Sequence, residues 1–401
     1  MVDRHALSDT ADVARLQQRG MIIGVAGLVV GAIASILQPD QFLPSWLIGF
    51  TFCIGLSMGC LALLMTQHLS GGQWGLVARR VFEAGSRLLP YSVLLFIPIA
   101  IFLPKLYLWA RPEAVHADEI LEHKAPYLNV WFFLIRAAVY FLIWWFCAHN
   151  LNRWSVQQDR GELGVTEADT RRFRVISAPG LLAYVLTMSL AAIDWLMSLD
   201  PHWYSTIFGF IIVAGQALCA LSFSVAILAM LAESAPMSTV LRAGHFHDLG
   251  KLMLAFVMLW AYFSFSQFLI IWAGNLPEEI PFYIARLRYG WQYVSLLIVV
   301  GHFFLPFLLL LSRDLKRRPR LLARVAWFIV AMRLIDLIWI IAPVFNQDRA
   351  FPVSVANVAI PLGLAGVWLY LFAGQLRRRA LVPVNDPYFK EMLAHGQPAG
   401  H

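Results

Sequence analysis

Charge is scarce in this chain of 401 residues: charged residues make up 14% and hydrophobic residues 60%, with a mean hydropathy of +0.67. A soluble domain carries about 25% charged residues, so that class is excluded. Cysteine is also sparse. The four present, Cys53, Cys60, Cys147 and Cys219, lie inside apolar stretches with no C-x-x-C pair, which argues against a disulfide frame or an iron–sulfur site and reads them as small buried hydrophobes. A basic soluble module is missing, which removes nucleic acid as a partner despite the net charge of +7. Met1 to Gly20 is polar and no small-residue cleavage pattern follows the first apolar stretch, so no removable leader is expected.

What the chain has is ten apolar stretches, each long enough to cross a bilayer. They fall near 21–37, 43–69, 88–108, 127–150, 175–199, 205–232, 249–273, 288–312, 321–342 and 353–376. None alternates like a membrane strand, and backbone groups in lipid must be satisfied within a segment, so the expected fold is an all-α integral membrane protein of ten transmembrane helices. Of the 31 Lys and Arg, 22 fall in connections on the N-terminal side and 6 on the other, and Arg136, Arg324 and Arg333 fall inside spans. Basic connections stay in the cytoplasm, which predicts cytoplasmic termini, including a 377–401 tail, and attraction to anionic lipid.

An internal repeat is expected. Gly49, Phe50 and Gly55 of helix 2 recur as Gly209, Phe210 and Gly215 of helix 6, at an offset of 160. Asp194 of helix 5, with Pro201 seven residues on, recurs as Asp336 of helix 9 with Pro343 seven residues on. Helices 2–5 (43–199) and 6–9 (205–342) thus read as two four-helix bundles related by a parallel repeat, with helices 1 and 10 as additions.

Ionisable residues inside spans mark working sites by default. Asp194 and Asp336 sit at equivalent places, Arg333 is three residues before Asp336 and so shares its helix face, and Arg136 lies in the outer half of helix 4. Further in, His302 is near the middle of helix 8, and Glu233, His149 and His68 are at the inner ends of helices 6, 4 and 2. Together they are candidates for a proton ladder, weighed against a buried ion-pair network that fixes packing. His68 and His149 are also the only pair that fits two axial ligands of a haem. Asp200-Pro201 makes a turn beside which His202 is a candidate for proton exchange with the outside. No metal-ligand set stands out.

The run Asp194-Trp195-Leu196-Met197-Ser198-Leu199-Asp200-Pro201-His202-Trp203-Tyr204-Ser205-Thr206 resembles the NrfD/polysulfide-reductase-like membrane subunits of alternative complex III, a quinol:cytochrome c (or other acceptor) oxidoreductase. His247-Asp248-Leu249-Gly250-Lys251-Leu252, Phe265-Ser266-Gln267-Phe268, Gly274-Asn275-Leu276-Pro277-Glu278-Glu279-Ile280 and Thr66-Gln67-His68-Leu69-Ser70-Gly71-Gly72 are similar to its ActF type. The resemblance implies ten helices in two four-helix bundles, no haem or cluster of the chain's own, and no catalysis in isolation. It also implies the partners ActC, the iron–sulfur subunit ActB and the haem-c subunits ActA and ActE, with quinol oxidation generally placed in ActC. On that reading Asp194 and Asp336 relay protons, Arg136 and Arg333 tune them, and Glu233 and His149 admit protons from inside. A structural anchor for the redox subunits and a stand-alone secondary transporter are the alternatives. Glu113, Asp118, Glu119 and Glu122 of the 105–126 loop are expected to face a basic haem-bearing partner.

Overall fold

The computed structural model describes residues 11–163, 166–346, 353–383 and 385–389. Among them there is no strand, and ten helices are long and apolar enough to cross a membrane. Helices 1 to 10 are Ala11–Leu37, Phe42–Ser70, Gln73–Ile101, Val130–Arg160, Glu167–Trp195, Phe208–Leu231, Ala243–Gly274, Trp291–Leu311, Pro319–Phe345 and Val355–Arg377. Their ends follow local chemistry. The Asn129 side chain accepts from Phe132 N–H at 2.9 Å to start helix 4, and Gly161 at φ 74° ends it in the left-handed conformation that glycine adopts freely.

Helices 2, 3, 4 and 5 pack in a ring, each on its neighbour and the last on the first, and helices 6, 7, 8 and 9 do the same. Each set of four thus closes on itself. The two sets meet where helix 6 packs on helices 2 and 5, and helix 9 on helix 2. Helices 2 and 6 are enclosed almost completely, which fits their being apolar on every side.

Helix 1 packs along helix 10, which in turn lies on helices 2 and 3. Glycine allows this approach. A Cβ on Gly27 would stand 2.5 Å from the backbone nitrogen of Gly363, so the two main chains touch as small-residue interfaces in lipid permit.

Several helices run past the apolar stretches that announce them. Helix 3 begins at Gln73 rather than 88, because Arg79, Arg80 and Glu83 are paired and buried, and it turns at Arg87–Leu88 before ending at Ile101. Residues 103–108, expected to finish that span, instead fall in two short turns, Leu103–Leu106 and Leu108–Ala110. Helices 4 and 5 extend through most of the expected 151–174 loop. Arg324, placed inside a span by sequence, is exposed in the second turn of helix 9.

Both described chain ends lie at one end of the bundle. Arg377 donates to Gln17 Oε1 at 3.0 Å, and Asp386 accepts from Arg79 Nη1 at 2.7 Å. The Lys- and Arg-rich connections share this basic end. Of the expected tail, residues 390–401 lie outside the described residues, while Leu381, Val382 and Phe389 are buried against the bundle.

Candidate functional site

Asp194 is one residue from the C-terminal end of helix 5, where the helix dipole disfavours a carboxylate, and it is fully buried. Arg136 of helix 4 compensates with a two-pronged contact, Nε to Oδ2 at 2.8 Å and Nη2 to Oδ1 at 2.9 Å. Tyr140 adds its hydroxyl to Oδ2 at 2.9 Å, and the remaining Arg136 nitrogen, Nη1, donates to Tyr127 O at 2.9 Å. The guanidinium also lies 3.9 Å from the Tyr127 ring centroid and 4.3 Å from that of Phe132. Trp195 next door is enclosed by Phe50, Phe96, Phe141 and Trp144. This pair is satisfied on every side.

Asp336 is paired with Arg333 of its own helix, as the spacing of three predicts, and both are buried. The Arg333 guanidinium rests where helix 6 has no side chain: a Cβ on Gly215 would stand 2.4 Å from its central carbon. Nothing among the described residues links this pair to Arg136–Asp194 by a hydrogen bond or ion pair, so the four charges form two separate sites.

His302 adjoins the second site. It is fully buried, its ring centroid lies 4.1 Å from that of Trp260, and among the described residues neither ring nitrogen has a hydrogen-bond partner. Pro306 has no N–H to offer the carbonyl of His302, and the backbone widens there into a π-helix over Val299–Phe304, with Leu305 N–H bonded to Val300 O. Such bulges gather at functional positions.

The rest of the expected ladder does not assemble. His149 is exposed on the outer face of helix 4, stacked on Trp145 with ring centroids 4.9 Å apart, while His68 stacks on Phe173 at 4.8 Å. The two histidines thus sit in different surroundings and do not form an axial pair. Glu233 is exposed and accepts from Arg320 Nε at 2.9 Å. His68 does reach solvent, lining a groove at the basic end with Gln67, Gln73, Thr170 and Arg174.

At the opposite end His202 pairs with Asp118 at 2.6 Å and so belongs to the surface. Asp118 also caps the Glu119–Lys124 helix by accepting from Ile120 N–H at 2.9 Å, and the His202 hydrogen bond holds its carboxyl below the ordinary value. Asp118 is therefore engaged within the chain, whereas Glu113, Glu119 and Glu122 are exposed. Asp200 closes the turn Met197–Leu199, its N–H on Met197 O and its carbonyl accepting from Trp203.

Sequence reasoning missed a buried polar cluster at the basic end. Glu83 accepts from Arg79 Nε at 2.9 Å, Arg80 Nη1 at 2.8 Å and Ser155 Oγ at 2.7 Å; Arg80 also pairs with Asp159, and Arg379 approaches Glu83 at 3.5 Å. Arg79 goes on to Gln158 and Asp386, tying the chain's C-terminal segment to helices 3 and 4. The signal was the spacing of Arg79, Arg80 and Glu83, which places all three on one face of a helix.

No protein-family model matches this chain, and a search of curated proteins finds none similar to it. Among the described residues, no group of three or more His, Cys, Asp or Glu converges as a metal site would require.

Proposed function

We propose that the chain is an ActF-like membrane subunit of a quinol-oxidising electron-transfer complex, seated in a bacterial inner membrane with both termini in the cytoplasm, and that its second bundle supplies a proton path. The observation that carries this reading is His302. An imidazole with two unengaged nitrogens can take up a proton at one and release it at the other, and a buried pair of unsatisfied polar atoms costs about 1–3 kcal/mol for each, which purely structural packing gives no reason to retain. Arg333 and Asp336 beside it form a charged pair that a passing proton can polarise.

Support also comes from the two rings of four helices closed in the same order, in keeping with a duplicated unit. The chain's own residues hold and move protons; quinol chemistry is assigned to the homologous partner ActC, with electrons passing to the iron–sulfur subunit ActB and the haem-c subunits ActA and ActE. The Arg136–Asp194 pair, satisfied throughout, acts on this reading as a brace. That same pair favours the second reading, a structural anchor for the redox subunits.

Purification of the tagged chain from its native membranes in mild detergent tests the assembly. Haem-c and iron–sulfur polypeptides are expected to accompany it, and a chain that purifies alone from membranes with an active quinol oxidase overturns the proposal.

A further inference from the structure

At the basic end, the helix 6–7 and helix 8–9 connections enclose a groove of about 630 Å³. Five arginines line it: Arg242, Arg317, Arg318, Arg320 and Arg324. The one carboxylate on the groove, Glu233, is engaged by Arg320, and among the described residues no carboxylate pairs with the other four. Positive-inside bias explains arginines at this end of the bundle, but it does not gather five around one concavity.

The rest of the lining is apolar. Leu241, Phe246 and Leu321 are part of it. Helix 9 begins in the groove at Pro319, which has no N–H, and Leu321 and Leu322 N–H are bonded to Arg318 O, so the arginine side chains and not the helix terminus supply the positive charge here. From there an exposed stripe descends helix 9 through Arg320, Arg324, Trp327 and Ala331, residues spaced by three or four and therefore on one face. A cationic mouth leading to an aromatic residue and then a lipid-facing helix surface matches one ligand shape.

We propose that this groove binds the phosphodiester headgroup of an anionic phospholipid, whose acyl chains lie along the Arg324–Trp327–Ala331 stripe. Arginine forks take two phosphate oxygens each, which suits a headgroup with two phosphodiesters. The inference rests on the placement of the ten helices in a membrane and not on the redox reading above. Neither His302 nor Asp336 lines the groove.

Native mass spectrometry of the full chain, in whatever assembly it purifies, reads the site directly. The delipidated protein is titrated with cardiolipin, phosphatidylglycerol and phosphatidylcholine. Cardiolipin is expected to bind most tightly, and Arg318→Gln/Arg324→Gln to weaken it about thirtyfold, at about fivefold per interfacial charge. Arg318→Lys/Arg324→Lys, which keeps the charge but not the fork, is expected to fall between these values and serves if the glutamine variant folds poorly. Arg153→Gln/Arg171→Gln, on the exposed ends of helices 4 and 5, should leave binding unchanged. Equal loss in that control, unaltered binding in both groove variants, phosphatidylcholine binding as tightly, or displacement of the lipid by millimolar inorganic phosphate would each overturn the proposal.

Discussion

Arg286 supplies the hydrogen bond that Pro343 withholds. A proline has no N–H, so the carbonyl of Trp339, four residues earlier in helix 9, loses its helical donor; Arg286 Nε reaches it at 3.0 Å, Nη2 takes the next carbonyl, Ile340 O, at 2.6 Å, and the guanidinium lies 3.5 Å from the Phe282 ring centroid.

This exchange is measurable. Arg286→Met should destabilise the protein by about 1–3 kcal/mol for each buried carbonyl left without a donor. Pro343→Ala restores an N–H for Trp339 O, so the double variant should recover part of the loss. Thermal unfolding of the four proteins in one detergent gives the coupling, and strictly additive shifts would refute it.

His302→Leu separates the two readings of the buried histidine. Leucine removes two unsatisfied polar atoms at similar volume, so stability should hold or rise, by up to about 2 kcal/mol. Proton uptake coupled to turnover should fall sharply in proteoliposomes of the assembled complex. Unchanged proton movement in a stable variant sinks the proton path.

Asp194→Asn should behave in the opposite way. It strands the buried Arg136 guanidinium at a cost of about 3–5 kcal/mol, so the variant should assemble poorly and lose all functions together. Replacing both partners, as in Arg136→Met/Asp194→Leu, should restore monodisperse protein on size-exclusion chromatography. Normal assembly of the single variant would show that the pair is not a brace.

Two glycines predict contrasting outcomes. A methyl at Gly27 meets the backbone of Gly363, which cannot yield without moving a helix, so Gly27→Ala should loosen helix 1 and cost about 1–3 kcal/mol. A methyl at Gly215 meets only the end of the Arg333 side chain. Gly215→Ala should therefore fold while pushing Arg333 off Asp336, and lower proton uptake as His302→Leu does. Protease sensitivity of helix 1, read beside proton uptake, distinguishes the two.

The Asp118–His202 tether should depend on pH with a defined sign. Hydrogen bonding from His202 lowers the Asp118 carboxyl below its ordinary value of 3.8, so the folded state favours the carboxylate. Its contribution is present above that value and is lost as the pH falls through the lowered one. Hydrogen exchange across 112–124 should stay slow at pH 5 and rise only in stronger acid. Asp118→Asn should raise it at pH 5 and make little difference in strong acid, where the wild-type carboxyl is already neutral.

The ten spans were legible because length and hydropathy report immersion in lipid, which is what selects these helices. The Arg333–Asp336 pair was legible from its spacing of three. The partner of Asp194 was not, since Arg136 is 58 residues away and only packing brings it near. His149 and Glu233 misled for a related reason: helices apolar on every side give no pattern that says which face turns inward, and both residues face out. Arg79, Arg80 and Glu83 were hidden by averaging, because three charges in one window read as chain leaving the membrane when in fact they pair with one another and with Asp159 and Asp386 inside the protein. The π-helix at His302 has a sequence cause in Pro306, but proline alone does not say whether a helix kinks, breaks or widens.

The contact between helices 1 and 10 sets an order of events during synthesis. Helix 1 finds its main partner in helix 10, whose first residue, Val355, follows Leu37 by more than 300 positions. At about 5–20 residues per second this is a wait of roughly 15–60 s, during which the glycine face of helix 1 stands open to any neighbouring helix. The Asp386 clasp on Arg79 comes later still. A ribosome that stalls before helix 10 thus leaves helices 2–9 inserted but unfastened, and the nascent protein is exposed to wrong partners until helix 10 arrives.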